Sequence, residues 1–588
     1  MQSSMLRQLI YTAFLLCCTV AQVFGQSLLE RTISMEVKRQ RLDAVLKEMG
    51  KQAGFSFSYN SNLLRRDSLV TLKARDRQVR EVLQMLFADR FEYREQGKHI
   101  IIQKSDGGND WYVSGYVIDE KTGEKVSNAS VYEPQHLVAS LTNDAGYFKL
   151  KLKSKQPATA INISKLAYND TSIAIKPGVD QVFTVNLSAK DYELDSVVFS
   201  PKKRIEDTWI GQWFLSSRQR LQTMNLGKLL VDKPYQVSLT PGLGTHGRMA
   251  GQVENKVSVN VLGGYTAAVN GVELGGLFNI VRKDMQYLQL VGLFNIVGGK
   301  VKGVQAAGLF NQTMDSVTGV QLAGLVNLAG SDVTGVQAGG IYNHAPANMR
   351  YAQFAGVSNY AGLRAEGIQA AGVANIAGKG MNGAQIAGVA NVADSVVEGV
   401  QISGVFNYAK NLKGLQIGVV NICDSSSGYS LGLLNFVRHG YHKFSIHTNE
   451  VMQINASVKT GTDKLYTILT GGFNPNGTSR VASFGYGLGR EVKLSRVVSL
   501  NPEATAQHLY LGDWGHLNLL SRLSLNLHVQ LHKYIAVYGG PAYSVYYSKQ
   551  SSFKPGFKTD VATSGYSSSS MGSNTIGWLG WNMGVSLF

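Results

Sequence analysis

The chain has 588 residues, with 57 Lys and Arg against 40 Asp and Glu, a net charge of +17, and 64 Gly but only 11 Pro. That length holds several domains, and the composition is neither disordered nor collagen-like. The basic residues are scattered rather than massed in a stripe, which argues against a nucleic-acid-binding surface.

The chain opens "MQSSMLRQLIYTAFLLCCTVAQVFGQ". Arg7, an apolar core and the small Gly25 before Gln26 form the pattern of a secretory signal peptide over residues 1–25; an N-terminal anchor is the rival reading. Removal of that segment takes Cys17 and Cys18 with it, leaving Cys423 alone and no internal disulfide framework. No later stretch is continuously apolar for about twenty residues, so any membrane entry is expected to use strands.

Residues 26–105 read as a small α+β domain in the order β-α-β-β-α-β-β. "RLDAVLKEMGKQAG" puts Leu42, Val45, Leu46 and Met49 on one helical face; a second helix, with Asp76 as its cap, has the stripe Val79, Val82, Leu83, Leu86. "FEYREQGKHIIIQK" predicts a hairpin turning at Gln96-Gly97. The blocks "RLDAVLKEMGKQAGFSFSYN" and "VTLKARDRQVREVLQMLFAD" resemble the short N-terminal domain of secretins and TonB-linked outer-membrane receptors. That resemblance implies a non-catalytic periplasmic module that contacts envelope partners, often an anti-sigma factor.

Residues 111–190 show many short strands with turn signals, "VSGYVIDEKTGEKVSNASVY" and "TNDAGYFKLKL" among them, and predict a small β-sandwich. The pattern resembles the carboxypeptidase regulatory-like domain, which implies a spacer or interaction module without peptidase chemistry. Residues 191–233 read as a linker. Within it "ELDSVV", Glu193, Leu194, Asp195, Ser196, Val197 and Val198, resembles the extended segment through which TonB engages its receptors by strand addition; an ordinary β-linker fits equally. Trp209, Trp213 and Phe214 then suggest an interfacial helix or a packed linker.

From Gly271 a sixteen-residue period sets in, typified by "GVQLAGLVN" at 319–327. Its Gln and Asn columns include Gln305, Asn311, Gln321, Asn327, Gln337, Asn343, Gln369, Asn375, Gln385 and Asn391, with Glu273 heading the Gln column and Gly324 typical of a central Gly. Gln and Asn stand six apart, so on a strand they share a face, opposite Val320, Leu322, Val326 and Leu328. Such regularity marks a structural ladder of buried amides rather than a binding track.

Two architectures fit. The preferred one makes 234–588 a single large antiparallel transmembrane β-barrel, the repeats at about 255–440 being wall strands with lipid outside and amides inside. "YQVSLTPGLGTHG" at 235–247 is then the first strand. The alternative is a β-solenoid followed by a smaller barrel. The spacing from Gln416 to Asn421 is one residue short, which forces a bulge on a barrel strand but only a tighter corner on a solenoid. The tail favours a barrel in either case. "LSLNLHVQLH" alternates without a break, tyrosines follow, and Phe588 ends the chain one step out of phase with the row Trp581, Met583, Val585, Leu587. The repeats also resemble the Gly-Leu-Gln/Leu-Val-Asn surface repeats of bacterial envelope proteins, a family with no defined activity to lend.

Catalytic and cofactor signals are weak. "GLGTHG" lacks the strand–helix context of a nucleotide site, and His439, His442 and His447 have no accompanying carboxylate and read as an exposed loop. The expectation is a mainly β, non-enzymatic outer-membrane protein without cofactor. Its N-terminal domains would be periplasmic, its partners membrane lipid with TonB or an anti-sigma factor, and no nucleic acid. A surface-exposed adhesin or structural repeat protein, and a passive pore, are the alternatives.

Overall fold

The computed structural model describes residues 28–60, 64, 67–87, 91–104, 110–153, 158–190, 204–475, 479–550, 554–562 and 566–588. The segment read as a signal peptide and the segment Glu193–Val198 lie outside the described residues. The chain divides into two compact units, Met1–Ile118 with Tyr147–Asn162 and Ser172–Asn186, and Asp119–Gly146 with Ile163–Thr171 and Leu187–Phe588.

The N-terminal elements follow the expected order: β1 (Thr32–Arg41), α1 (Leu42–Ala53), β2 (Ser56–Tyr59), β3 (Leu69–Gln78), α2 (Val79–Phe87), β4 (Phe91–Gln96) and β5 (His99–Lys104). β1 pairs antiparallel with β3, while β5 pairs parallel with β2 and antiparallel with β4. The helical stripes Leu42, Val45, Leu46, Met49 and Val79, Val82, Leu83, Phe87 bury in one core with Ile100 and Ile102. Gly54, in the left-handed region at φ 72°, stops α1 as its N–H bonds the Gly50 carbonyl. Asp76 does not cap α2. It sits inside β3 at φ 48°, its N–H bonded to Ser34 Oγ, and the helix starts directly at Val79.

Residues 110–187 add seven strands: β6 (Asp110–Asp119), β7 (Ser130–Glu133), β8 (Val138–Leu141), β9 (Tyr147–Lys153), β10 (Ala160–Ser164), β11 (Thr171–Ala174) and β12 (Gln181–Leu187). β6 is the centre of a three-stranded sheet in the order β12-β6-β9, with Trp111, Val113 and Val117 buried on its inner face. β7 and β8 form an antiparallel hairpin.

A short cap follows, with α3 (Trp209–Phe214), α4 (Ser217–Asn225) and β13 (Val231–Thr240). A capping box between Ser216 and Gln219 starts α4. Beyond the cap the repeats stack as a parallel β-solenoid. Each coil has a long strand, as Val317–Ala323, and a short one, as Val326–Ala329. The long strand pairs parallel with its counterpart one repeat away, Gln305 opposite Gln321 and Gly303 opposite Gly319; the short strand does the same, Asn311 opposite Asn327.

The repeats are therefore coils and not staves of an antiparallel barrel wall, and the second of the two expected architectures is the one found. A period of constant length returns the chain to the same point with the same direction, so like residues stack on like. "YQVSLTPGLGTHG" is likewise no barrel strand: β13 lies parallel to Val253–Asn260 at the start of the stack. The coils after Ser403 shorten as a solenoid allows, and Gln416 and Asn421 both stay buried.

The barrel is confined to the tail. Eight strands run antiparallel from Tyr441–Asn449 to Thr575–Leu587, and these two pair with each other to close the ring. Short connections at 462–465 and 533–534 lie at the end where the first strand enters, and the long connection at 549–567 lies at the other end.

Candidate functional site

Two interiors, that of the solenoid and that of the barrel, organise the polar side chains of the described repeats and tail. Inside the solenoid, the Gln and Asn columns form two continuous hydrogen-bond ladders. Gln321 Nε2 donates to Gln305 Oε1 at 2.8 Å, and Gln337 Nε2 donates to Gln321 at 2.8 Å. The series holds through Gln353, Gln369, Gln385, Gln401 and Gln416. Asn327 Nδ2 donates to Asn343 Oδ1 at 2.9 Å and to the Ala338 carbonyl at 2.9 Å. Asn311, Asn375 and Asn391 repeat that double donation. The Gln ladder thus donates toward the N-terminus and the Asn ladder toward the C-terminus. Every predicted ladder residue is fully buried, and the arrangement satisfies amides that would be costly to bury alone.

The rest of the solenoid interior is apolar: Val317, Ala329, Val333, Ala345, Met349 and Cys423 belong to one cluster. Burial pushes the Cys423 thiol up to about 11. Two glycines per coil make the stacking possible. Gly319 sits at φ +127°, and a Cβ there would meet Gly303 O at 2.1 Å; a Cβ on Gly324 would meet Gly308 O at 2.1 Å.

The barrel has a polar interior and an apolar exterior. Leu523, Leu525, Leu527, Met583 and Leu587 are exposed, while Arg522, Asn526 and His528 on the alternate positions are buried. Among the described residues, buried ion pairs join strands and connections of the barrel on its inner side. Lys443 pairs with Glu491 at 2.7 Å, Lys459 pairs with Glu503, and Arg522 pairs with Glu450 at 3.0 Å. Glu503 also accepts from Tyr466 OH at 2.7 Å and Asn526 Nδ2 at 3.2 Å. Glu450 accepts from Ser544 Oγ at 3.0 Å and Trp578 Nε1 at 3.1 Å. Sequence reading missed these pairs, since the partners are 44 to 72 residues apart. The available signal was a charged residue on the polar face of an alternating strand.

The histidines of "HGYHKFSIH" do not form a loop cluster. His442 and His447 lie on the strand Tyr441–Asn449, both half-buried, while His439 is exposed. Among the described residues no group of three His, Cys, Asp or Glu is placed to hold a metal. The aromatic residues of α3 (Trp209–Phe214) point to two different surroundings. Phe214 packs on Phe278 with ring centroids 4.5 Å apart, whereas Trp209 and Trp213 are 65% and 81% exposed. Beside α3 a groove of about 1260 Å³ runs along the short strands, lined by Trp209, Ile296, Met314, Leu328 and His344.

Residues 113–199 match the family model of the CarboxypepD_reg-like domain. This regulatory-like domain covers the strands from β6 to β12 and reaches into the segment that holds Glu193–Val198. It is the module expected there, matched over a minor part of the chain. No curated protein and no solved structure matches the chain.

Proposed function

We propose that the protein is a non-enzymatic outer-membrane protein of a bacterial envelope, anchored by its C-terminal barrel and carrying interaction modules on the periplasmic side. The observation that supports this most is the eight-stranded ring with apolar side chains outside and ion-paired polar side chains inside. A water-soluble barrel would have the opposite pattern; a ring that crosses hydrocarbon needs this one. The one distinctly long connection, 549–567, lies opposite the chain-entry end, where the outer loops of such barrels lie.

A lumen filled with buried side chains favours an anchor over a passive pore. The regulatory-like domain and the N-terminal module are read as the partner-binding end, with TonB through Glu193–Val198 or an anti-sigma factor as the partner. The barrel is tested by gel migration of the full chain before and after boiling, together with fractionation of membranes. A heat-shifted band in the outer-membrane fraction supports the reading; a band that does not shift, in a soluble fraction, ends it. Capture of an anti-sigma protein by residues 27–104 tests the signalling role, and no binding at micromolar concentration removes it.

A further inference from the structure

The solenoid is inverted from edge to edge. Where Gln321 and Asn327 fill the inside, the outside is apolar; where Val317 and Ala329 fill the inside, the outside carries Gly330, Ser331 and Asp332. The apolar edge is the corner after the central glycine. Leu293, Leu309, Leu325, Ile341, Val357 and Val373 occupy it on successive coils, each about two-fifths exposed. From the Val320 column round to the Val326 column, no outward position in the coils from Val272 to Leu434 carries Asp, Glu, Lys or Arg. Such a strip is on the order of a thousand Å², well beyond the patch a soluble monomer leaves open.

The N–H groups of this corner are all paired. The N–H of Gly324 bonds the Ala307 carbonyl at 3.2 Å, and those of Leu325 and Val326 bond the Leu309 carbonyl at 2.9 and 3.1 Å. Hydrocarbon demands this of any chain that enters it, and it excludes ordinary loops.

The last coil fixes how the edge lies against the barrel. At the polar side, Lys464 Nζ, in the short connection at the chain-entry end, donates to Ser427 O at 3.0 Å. At the apolar corner, Tyr486 OH donates to Gly432 O at 2.8 Å. Tyr486 is three residues from the end of its strand, Ala482–Gly489, among the exposed apolar side chains Phe484 and Val458. So the polar side of the coil sits level with the barrel's turns, and the apolar corner sits level with its apolar wall. Five steps of chain, through the strand Tyr429–Leu431, separate Ser427 from Gly432, at most roughly 16 Å. Half of a bilayer's hydrocarbon core is about 15 Å.

We propose that the solenoid lies along the membrane with its Leu325 edge sunk in the acyl chains of the leaflet that meets the barrel's turn end. The occupant of the edge is lipid, continuous with the lipid around the barrel. About eleven coils at roughly 4.8 Å each make a rib some 50 Å long. This deepens the barrel reading and rests on it.

The test uses the full chain with Cys17, Cys18 and Cys423 replaced by alanine, reconstituted into phosphatidylcholine vesicles. Single cysteines at Leu325→Cys, Ile341→Cys, Ser331→Cys and Leu525→Cys are each coupled to an NBD fluorophore. Doxyl-labelled phosphatidylcholine is expected to quench the probes at 325, 341 and 525 several-fold more than the probe at 331, and aqueous iodide to do the reverse. Quenching at 525 with 325 and 341 behaving like 331 overturns the inference and leaves the barrel standing. Loss of lipid quenching at 525 overturns the barrel reading itself. Shielding of 325 and 341 from both quenchers, with a doubled particle mass, assigns the edge to a second copy and overturns the lipid assignment.

Discussion

Gln289 Nε2 donates to Glu273 Oε2 at 2.7 Å, and with that bond the Gln ladder ends. A glutamine at 273 would need an acceptor of its own; a carboxylate only accepts. Glu273 Oε1 also accepts from Asn260 Nδ2 at 3.0 Å, and Asn260 is the first donor of the Asn ladder, to Asn279 at 2.9 Å. One carboxylate therefore anchors both opposed ladders.

Burial holds the Glu273 carboxyl above its usual range, although its donors Gln289, Asn260 and Ser258 pull it down. An acid with a raised folded pKa contributes stability below its unfolded pKa and loses it as pH rises through the folded value. The melting temperature of the native protein relative to E273Q is expected to fall as pH rises from the ordinary carboxyl range toward neutral. A difference that stays flat over that range contradicts the assignment.

Gln369→Leu interrupts the ladder in mid-stack. It leaves Gln385 Nε2 without its acceptor and Gln353 Oε1 without its donor. Two orphaned buried groups cost roughly 2–5 kcal/mol. Coils couple only to their neighbours, so hydrogen exchange should speed up near residues 353–385 while the barrel's heat-shift temperature stays put.

Tyr287 and Tyr351 stand in the column that Gly319 typifies, at φ 77° and 91°, with side chains 65% and 67% exposed. Their left-handed backbone costs about 1–2 kcal/mol, which glycine avoids. Tyr351→Gly is expected to stabilise the solenoid by about 1 kcal/mol, and Gly335→Ala to destabilise it, since a Cβ there meets Gly319 O at 1.8 Å. Chemical denaturation of both variants gives the two signs.

Cys423 is buried in the apolar half of the coil interior, its thiol pushed up to about 11. Thiolate is the reactive form. With Cys17 and Cys18 replaced by alanine, labelling of Cys423 by a thiol reagent at neutral pH should be absent in the folded protein and appear at the rate of unfolding.

Glu503→Gln leaves Lys459 buried in the barrel without its counter-charge. Removing one partner of such a pair costs about 3–5 kcal/mol. The temperature at which the barrel loses its compact gel mobility should drop clearly, with little change for Lys413→Ala, whose pair with Glu398 is exposed.

Much of the architecture was legible in the residues. Alternation over 523–532 placed Asn526 and His528 inside and Leu525 outside, because period two has one reading on a strand. Helical spacing placed Leu42, Val45, Leu46 and Met49 in the N-terminal core. The even spacing of Gln321 and Asn327 identified a buried structural ladder. Hidden were the lumen pairs Lys459–Glu503 and Arg522–Glu450, because ring closure, and not sequence distance, brings them together.

The same spacing could not choose between stave and coil. Strand, face and period are properties of a single segment, and local chemistry determines them. Whether successive segments run parallel or antiparallel depends on the path between them, and here each sixteen-residue turn closes on itself and brings Gln305 beside Gln321 in the same direction. The sequence by itself determined which side chains turn away from water; the tertiary structure alone decided that the apolar side of the coils and the apolar wall of the barrel stand at one level.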